Sequence, residues 1–66
     1  MDESLMKYIP KAYKKDIVSI EKGRKVWNEH SKRWNIMIVV EWKDGAINEY
    51  QNASYMRVKL QEFGRN

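Results

Sequence analysis

The 66-residue chain has no cysteine, one histidine, one proline and three isolated glycines. Without cysteine there is no disulfide framework, no thiolate metal site and no cysteine nucleophile. A single histidine, His30, leaves a conventional zinc site short of ligands. Gly23, Gly45 and Gly64 are too far apart in the chain to make a phosphate-cradling loop. Long apolar runs are missing as well. The longest, Ile36 to Val40, falls well short of the roughly 20 residues of a membrane span and of a signal-peptide core. Catalytic pairs are equally scarce. His30 next to Ser31 does not make a nucleophile–base pair by adjacency, and no spacing forces two carboxylates together. These gaps predict a cytoplasmic protein that is not an enzyme, holds no metal or cofactor and has no membrane partner.

What is present is the composition of one small folded domain. Hydrophobic residues are 42% and charged residues 33%, which argues against a disordered chain. A domain of this length buries only about 60% of the surface its unfolded chain exposes, so its stability is marginal. The net charge is +4, unevenly spread. The segment from Lys7 to Arg33 has nine basic residues against three acids, whereas Trp34 to Asn66 is balanced. A basic half favours anionic partners such as nucleic acid, or an acidic protein surface.

Residues 1–15 read as an N-terminal arm and residues 16–63 as a single small β domain. In the arm, Ser4 can cap a short helix that Pro10 interrupts. Leu5, Met6 and Ile9 can pack part of the arm on the body. Asp16 to Glu21 alternates as a first strand, with Val18 and Ile20 on one face and Ile17 on the other. Lys22-Gly23 reads as a turn and Arg24 to Asn28 as a second short strand. Trp34 to Trp42 is the strongest strand signal, with Trp34, Ile36, Ile38, Val40 and Trp42 on one face and Met37 and Val39 on the other. Lys43-Asp44-Gly45 is hairpin material, with the register left open between a two-residue turn and a bulged three-residue one. Ala46 to Tyr50 returns as a strand. Residues 52–63 admit two readings. The favoured one is a short turn and a last strand through Met56, Val58 and Leu60. The alternative is a helix capped at Asn52 or Ser54, with Ala53, Met56, Leu60 and Phe63 on one stripe and Gly64 at its end.

The strand order, with Val40-Glu41-Trp42-Lys43-Asp44-Gly45, Tyr50 and then Met56 to Leu60, resembles the SH3-like small barrels, Tudor-like and KOW-like domains among them. The resemblance implies a mainly β fold, a barrel of about five short antiparallel strands with a loosely packed N-terminal arm. The helical reading of 52–63 gives instead a three-stranded sheet plus a C-terminal helix. Lys25-Val26-Trp27, followed by a strand, an Asp-Gly turn and a Tyr, is also similar to the small basic chromatin proteins of Crenarchaeota. That similarity implies that Trp27 and Lys25 lie on a sheet surface facing the DNA minor groove.

Basic and aromatic residues interleave at Lys25-Val26-Trp27 and Lys32-Arg33-Trp34. An exposed indole can stack on or wedge a base while Lys and Arg neutralise phosphates. The competing reading of Trp27, Trp34 and Trp42 is hydrophobic core, with the basic neighbours alternating outward. The expected function is a small basic nucleic-acid-binding module with Lys22, Arg24, Lys25, Trp27, Lys32 and Arg33 as its contact residues. The alternative is a small adaptor or inhibitor, phage- or plasmid-encoded, that grips another protein through exposed aromatics. Either can be a monomer or a homodimer, since an edge strand in so small a sheet can pair with a copy of itself.

Overall fold

A computed structural model describes residues 2–65. Two single-turn helices, α1 (Glu3–Met6) and α2 (Lys11–Lys14), precede three strands: β1 (Ile17–Asn28), β2 (Arg33–Trp42) and β3 (Ile47–Tyr50). Helix α3 (Ala53–Phe63) closes the fold. The strands form one antiparallel sheet in the order β1-β2-β3. The protein is therefore mainly β, a three-stranded open sheet with a C-terminal helix. Two of the five expected strands are accounted for otherwise, and no barrel closes among the described residues.

The first difference lies at Lys22-Gly23. These residues do not turn; β1 runs through them, with its register slipping between Lys22 and Lys25. Crowding favours glycine there, because a Cβ at position 23 would lie 2.5 Å from Val39 Cγ2 and the Val39 side chain would have to shift. A second irregularity between Ile17 and Ser19 puts both Ile17 and Ile20 in the core and leaves Val18 exposed. Strict alternation had set Ile17 and Ile20 on opposite faces; a bulge breaks that count. The connection between β1 and β2 is the polar loop Glu29 to Lys32, begun by Asn28, whose Oδ1 accepts from the backbone N–H groups of His30 and Ser31.

The second difference is residues 52–63, which form a helix and not a turn plus strand. Asn52 is extended and its Oδ1 accepts from the Tyr55 N–H at 2.7 Å, an N-cap that satisfies one of the helix's orphan donors. Met56 and Leu60 lie one turn apart on the buried stripe. Val58, which suggested a strand, sits on the outer face. Gly64 (φ 71°) ends the helix in a conformation suited to glycine. The hairpin register is settled as well: Trp42 N–H donates to Ala46 O across the three-residue loop Lys43 to Gly45, and Gly45 takes φ 91°. Tyr50 then pairs with Ile38 on the core face and Ile47 with Glu41 on the other.

The core joins Ile17 and Ile20 of β1, Ile38, Val40 and Trp42 of β2, Tyr50 of β3, and Met56 and Leu60 of α3. Leu5 and Ile9 complete it. The segment expected as a loosely packed arm is thus anchored, and the Asp2 N–H also donates to Ile20 O. The cap of α1 is Asp2, which accepts from the Ser4 N–H and hydroxyl, and not Ser4 itself. Trp42 is the centrepiece. Tyr13 meets it edge-to-face at 5.9 Å, the Arg65 guanidinium lies 4.5 Å from its ring, and its Nε1 donates to Asn48 Oδ1 at 2.7 Å. Arg65 also bonds both carboxylate oxygens of Asp44, which ties the end of the chain to the β2–β3 loop.

The helices do not cover the whole sheet. The ten residues of β2 span about 33 Å, whereas the eleven of α3 span only about 16 Å. The outer part of the β1–β2 hairpin therefore projects beyond the core, and the molecule measures 36 × 23 × 21 Å.

Candidate nucleic-acid interface

Directly opposed residues of an antiparallel pair share a face of the sheet. The pairs Lys22 with Ile38, Lys25 with Ile36 and Trp27 with Trp34 therefore put Lys22, Lys25, Trp27, Trp34 and Ile36 on the face that, farther along, carries the core. Beyond Lys22 no helix among the described residues covers it. Trp34 is 63% exposed, Ile36 43% and Trp27 42%. The two indoles meet edge-to-face, with centroids 5.5 Å apart at 68°. Trp27 Nε1 donates to Glu29 Oε1 at 2.9 Å, and Lys32 Nζ reaches the other oxygen of that carboxylate at 2.9 Å. Those two bonds, that from Lys32 first, hold the Glu29 carboxyl below its ordinary value.

The six expected contact residues are thus divided. Lys22, Lys25 and Trp27 stand together. Arg24 turns to the opposite face and crosses to β3, where Nε and Nη2 bond the two oxygens of Glu49 at 3.0 and 3.1 Å. This fork raises the Arg24 value and lowers that of Glu49. Lys32 is engaged by Glu29 at the tip. Arg33 pairs with Asn28 on the face opposite Trp34. Among the described residues Lys22, Lys25 and Arg33 carry no ion pair. A depression that reaches the tip is lined by Asn28, Asn35 and Met37 of that opposite face and also by Trp27, Glu29 and His30.

Trp34 and Ile36 belong to the surface although the apolar alternation of β2 puts them on one face with the buried Trp42, which is the competing, core reading of Trp34. The signal that separates them is length: the apolar face of a ten-residue strand, about 33 Å long, cannot be covered by an eleven-residue helix of about 16 Å.

No protein-family model, curated protein or solved structure matches this chain. Among the described residues no group of three or more His, Cys, Asp or Glu could hold a metal ion, and no helix is long and apolar enough to cross a membrane.

Proposed function

We propose that this protein is a small nucleic-acid-binding module that uses the projecting β1–β2 hairpin. The observation that carries the reading is Trp27 and Trp34 exposed on one face beside Lys22 and Lys25, neither lysine in an ion pair among the described residues, although Lys22 lies in the field of the Asp2 carboxylate. Indoles supply π faces and the lysines answer phosphate charge, and both must lie on one surface. Arg33 adds a free cation on the reverse face. Arg24 and Lys32 are spent on Glu49 and Glu29 and contribute less than their charge suggests. The likeness of Lys25-Val26-Trp27 to the crenarchaeal chromatin proteins agrees with the same surface, and the module acts in the cytoplasm.

The test is a titration of end-labelled duplex DNA, single-stranded DNA and RNA, followed by anisotropy at about 50 and 200 mM salt. Two to three phosphate contacts predict a log–log salt slope of about −1.8 to −2.7 on duplex DNA. A flat titration on all three polymers at low salt overturns the proposal. The second reading, an adaptor or inhibitor that grips a protein, then takes its place. The observation favouring it is the apolar patch of Trp27, Trp34 and Ile36, which suits a protein hot spot.

A further inference from the structure

We infer that the hairpin binds an unpaired strand, with Trp34 as the base platform and Trp27 as the residue that positions it. The inference rests on the nucleic-acid reading above and narrows it to one class of ligand.

Three observations carry it. The first is the state of the two indoles. Trp27 is tied by its N–H to Glu29 and is the less exposed ring. Trp34 is the more exposed, and its N–H has no partner among the described residues. Whichever ring supplies the edge in their edge-to-face contact, at least one face of Trp34 is left uncovered by Trp27. A broad free indole face matches the π face of a base. Bases in a duplex are stacked on one another, so an indole reaches a base face there only by unstacking a step, at a cost that an unpaired strand does not impose.

The second observation is what shares that face. From Lys22 to Ile36 it holds two lysines, two tryptophans and an isoleucine, and no amide or hydroxyl. The planar, forked side chains that read base edges in a duplex are Asn, Gln and Arg; lysine reads them too, but it is also a point charge for phosphate. In this hairpin Asn28, Arg33 and Asn35 all lie on the reverse face. Stacking plus lysine charges, without a planar amide or guanidinium fork, is the chemistry of sequence-tolerant single-strand binding.

The third observation concerns the tip. A ribbon that enters a groove end-on must pass its loop between two rows of phosphates. This loop carries the Glu29 carboxylate, which already holds Lys32, so the tip offers no net positive charge from that pair. Among the described residues, the cations on the tryptophan face without an ion pair are Lys25 and, nearer the Asp2 carboxylate, Lys22, along the flank of β1. A strand lying across the flank meets both.

The experiment compares a labelled 12-nucleotide oligo-dT with a 12-base-pair duplex at equal salt, on the full chain. The expected result is tighter binding of oligo-dT, with a salt slope near −1.4 for two phosphate contacts on a single strand. Trp34→Ala should weaken oligo-dT binding by about 10-fold or more with the slope unchanged. Trp34→Phe, which keeps an aromatic face, should recover most of that loss. Lys25→Ala should make the slope shallower by about 0.7, and Arg33→Ala should leave it alone. Circular dichroism checks each fold; if Trp34→Ala unfolds, Trp34→Thr, with its β-branched side chain, replaces it. Duplex bound as tightly as oligo-dT, or full affinity in the folded Trp34 variant, overturns the single-strand inference and leaves the broader reading standing. Absence of binding to either polymer overturns both.

Discussion

The β1–β2 hairpin is one continuous ladder that lives in two environments. Its inner half, Ile17 to Lys22 against Ile38 to Trp42, lies under α1, α2 and α3. Its outer half, Lys25 to Asn28 against Arg33 to Ile36, lies under no other element among the described residues. The same face of β2 carries Trp42 at one end, 1% exposed, and Trp34 at the other, 63% exposed. Their strand and alternation are the same; the difference comes from what is stacked above. Hydrophobic periodicity therefore marks which side of a strand is apolar, and the lengths of the covering elements decide how far that side is buried. In the inner half an apolar residue stabilises the fold. In the outer half it is available to a ligand.

The comparison is broken most forcefully at Trp42. Trp42→Ala removes a buried indole, its hydrogen bond to Asn48 and its contacts with Tyr13 and Arg65. The expected loss of about 3–5 kcal/mol is enough to unfold most of a domain this small. Trp34→Ala should cost under about 1 kcal/mol, since an exposed aromatic pair contributes little beyond its area. Urea melts of the two variants side by side check this, and equal losses would mean the two halves are not distinct.

The next effect is at the joint. Gly23→Ala forces a Cβ against Val39 and should destabilise by about 1–3 kcal/mol, the usual range for overpacking. If Val39 can yield, the loss in the melt disappears, and Gly23 is not the constraint on the continuous strand. A third variant has the opposite sign. The Tyr50 hydroxyl is buried with no hydrogen-bond partner in the structure, and burial raises its value above the ordinary 10.0. Tyr50→Phe should therefore stabilise the inner half by about 1 kcal/mol. Because the folded value is raised, the neutral form's contribution is complete below pH 10 and is lost as pH rises through the folded value. Tyr50→Phe should flatten that alkaline loss in melts taken across pH 9 to 11.

The outer half answers to a finer measurement. A double-mutant cycle on Trp27 and Trp34 should give a coupling of about 0.5 kcal/mol, the low end for aromatic pairs, given their exposure. A coupling near zero would release Trp27 from its positioning role. Acid titration gives the smallest effect. The Asp44 carboxyl is held below its ordinary 3.8 by the Ala46 N–H and then by Arg65. A depressed value stabilises above the unfolded value and loses that contribution as pH falls through the folded one. Asp44→Asn should make the fall in stability below about pH 4 shallower. Glu29→Gln should change it less, because Glu29 braces only the tip.

Much of this fold was legible because local chemistry agreed with it. The β2 run, the Asp44-Gly45 turn and the helix signals at Asn52 and Gly64 were all visible, the last as the alternative to a strand. Residues 52–63 were ambiguous because Met56, Val58 and Leu60 fit a period of two as well as a helical stripe, and the Asn52 cap decides only once its geometry exists. Gly23 was misleading because glycine signals a turn and a crowded strand equally; the crowding comes from Val39, sixteen residues later. At the candidate site, the residue types and the stretch of chain were readable from the basic and aromatic interleaving. Which cations stay free was not, because Arg24 is captured by Glu49 from another strand. The exposure of Trp34 was hidden for the related reason that it depends on where a distant helix ends.

Trp42 sits sealed beneath a guanidinium, while Trp27 and Trp34 stand in solvent. The unlabelled chain therefore contains its own optical standard. Iodide should extinguish the red-edge emission of the outer pair and leave a blue component from Trp42. A change confined to the red component reports occupancy of the hairpin, and a change in the blue one reports loss of the fold.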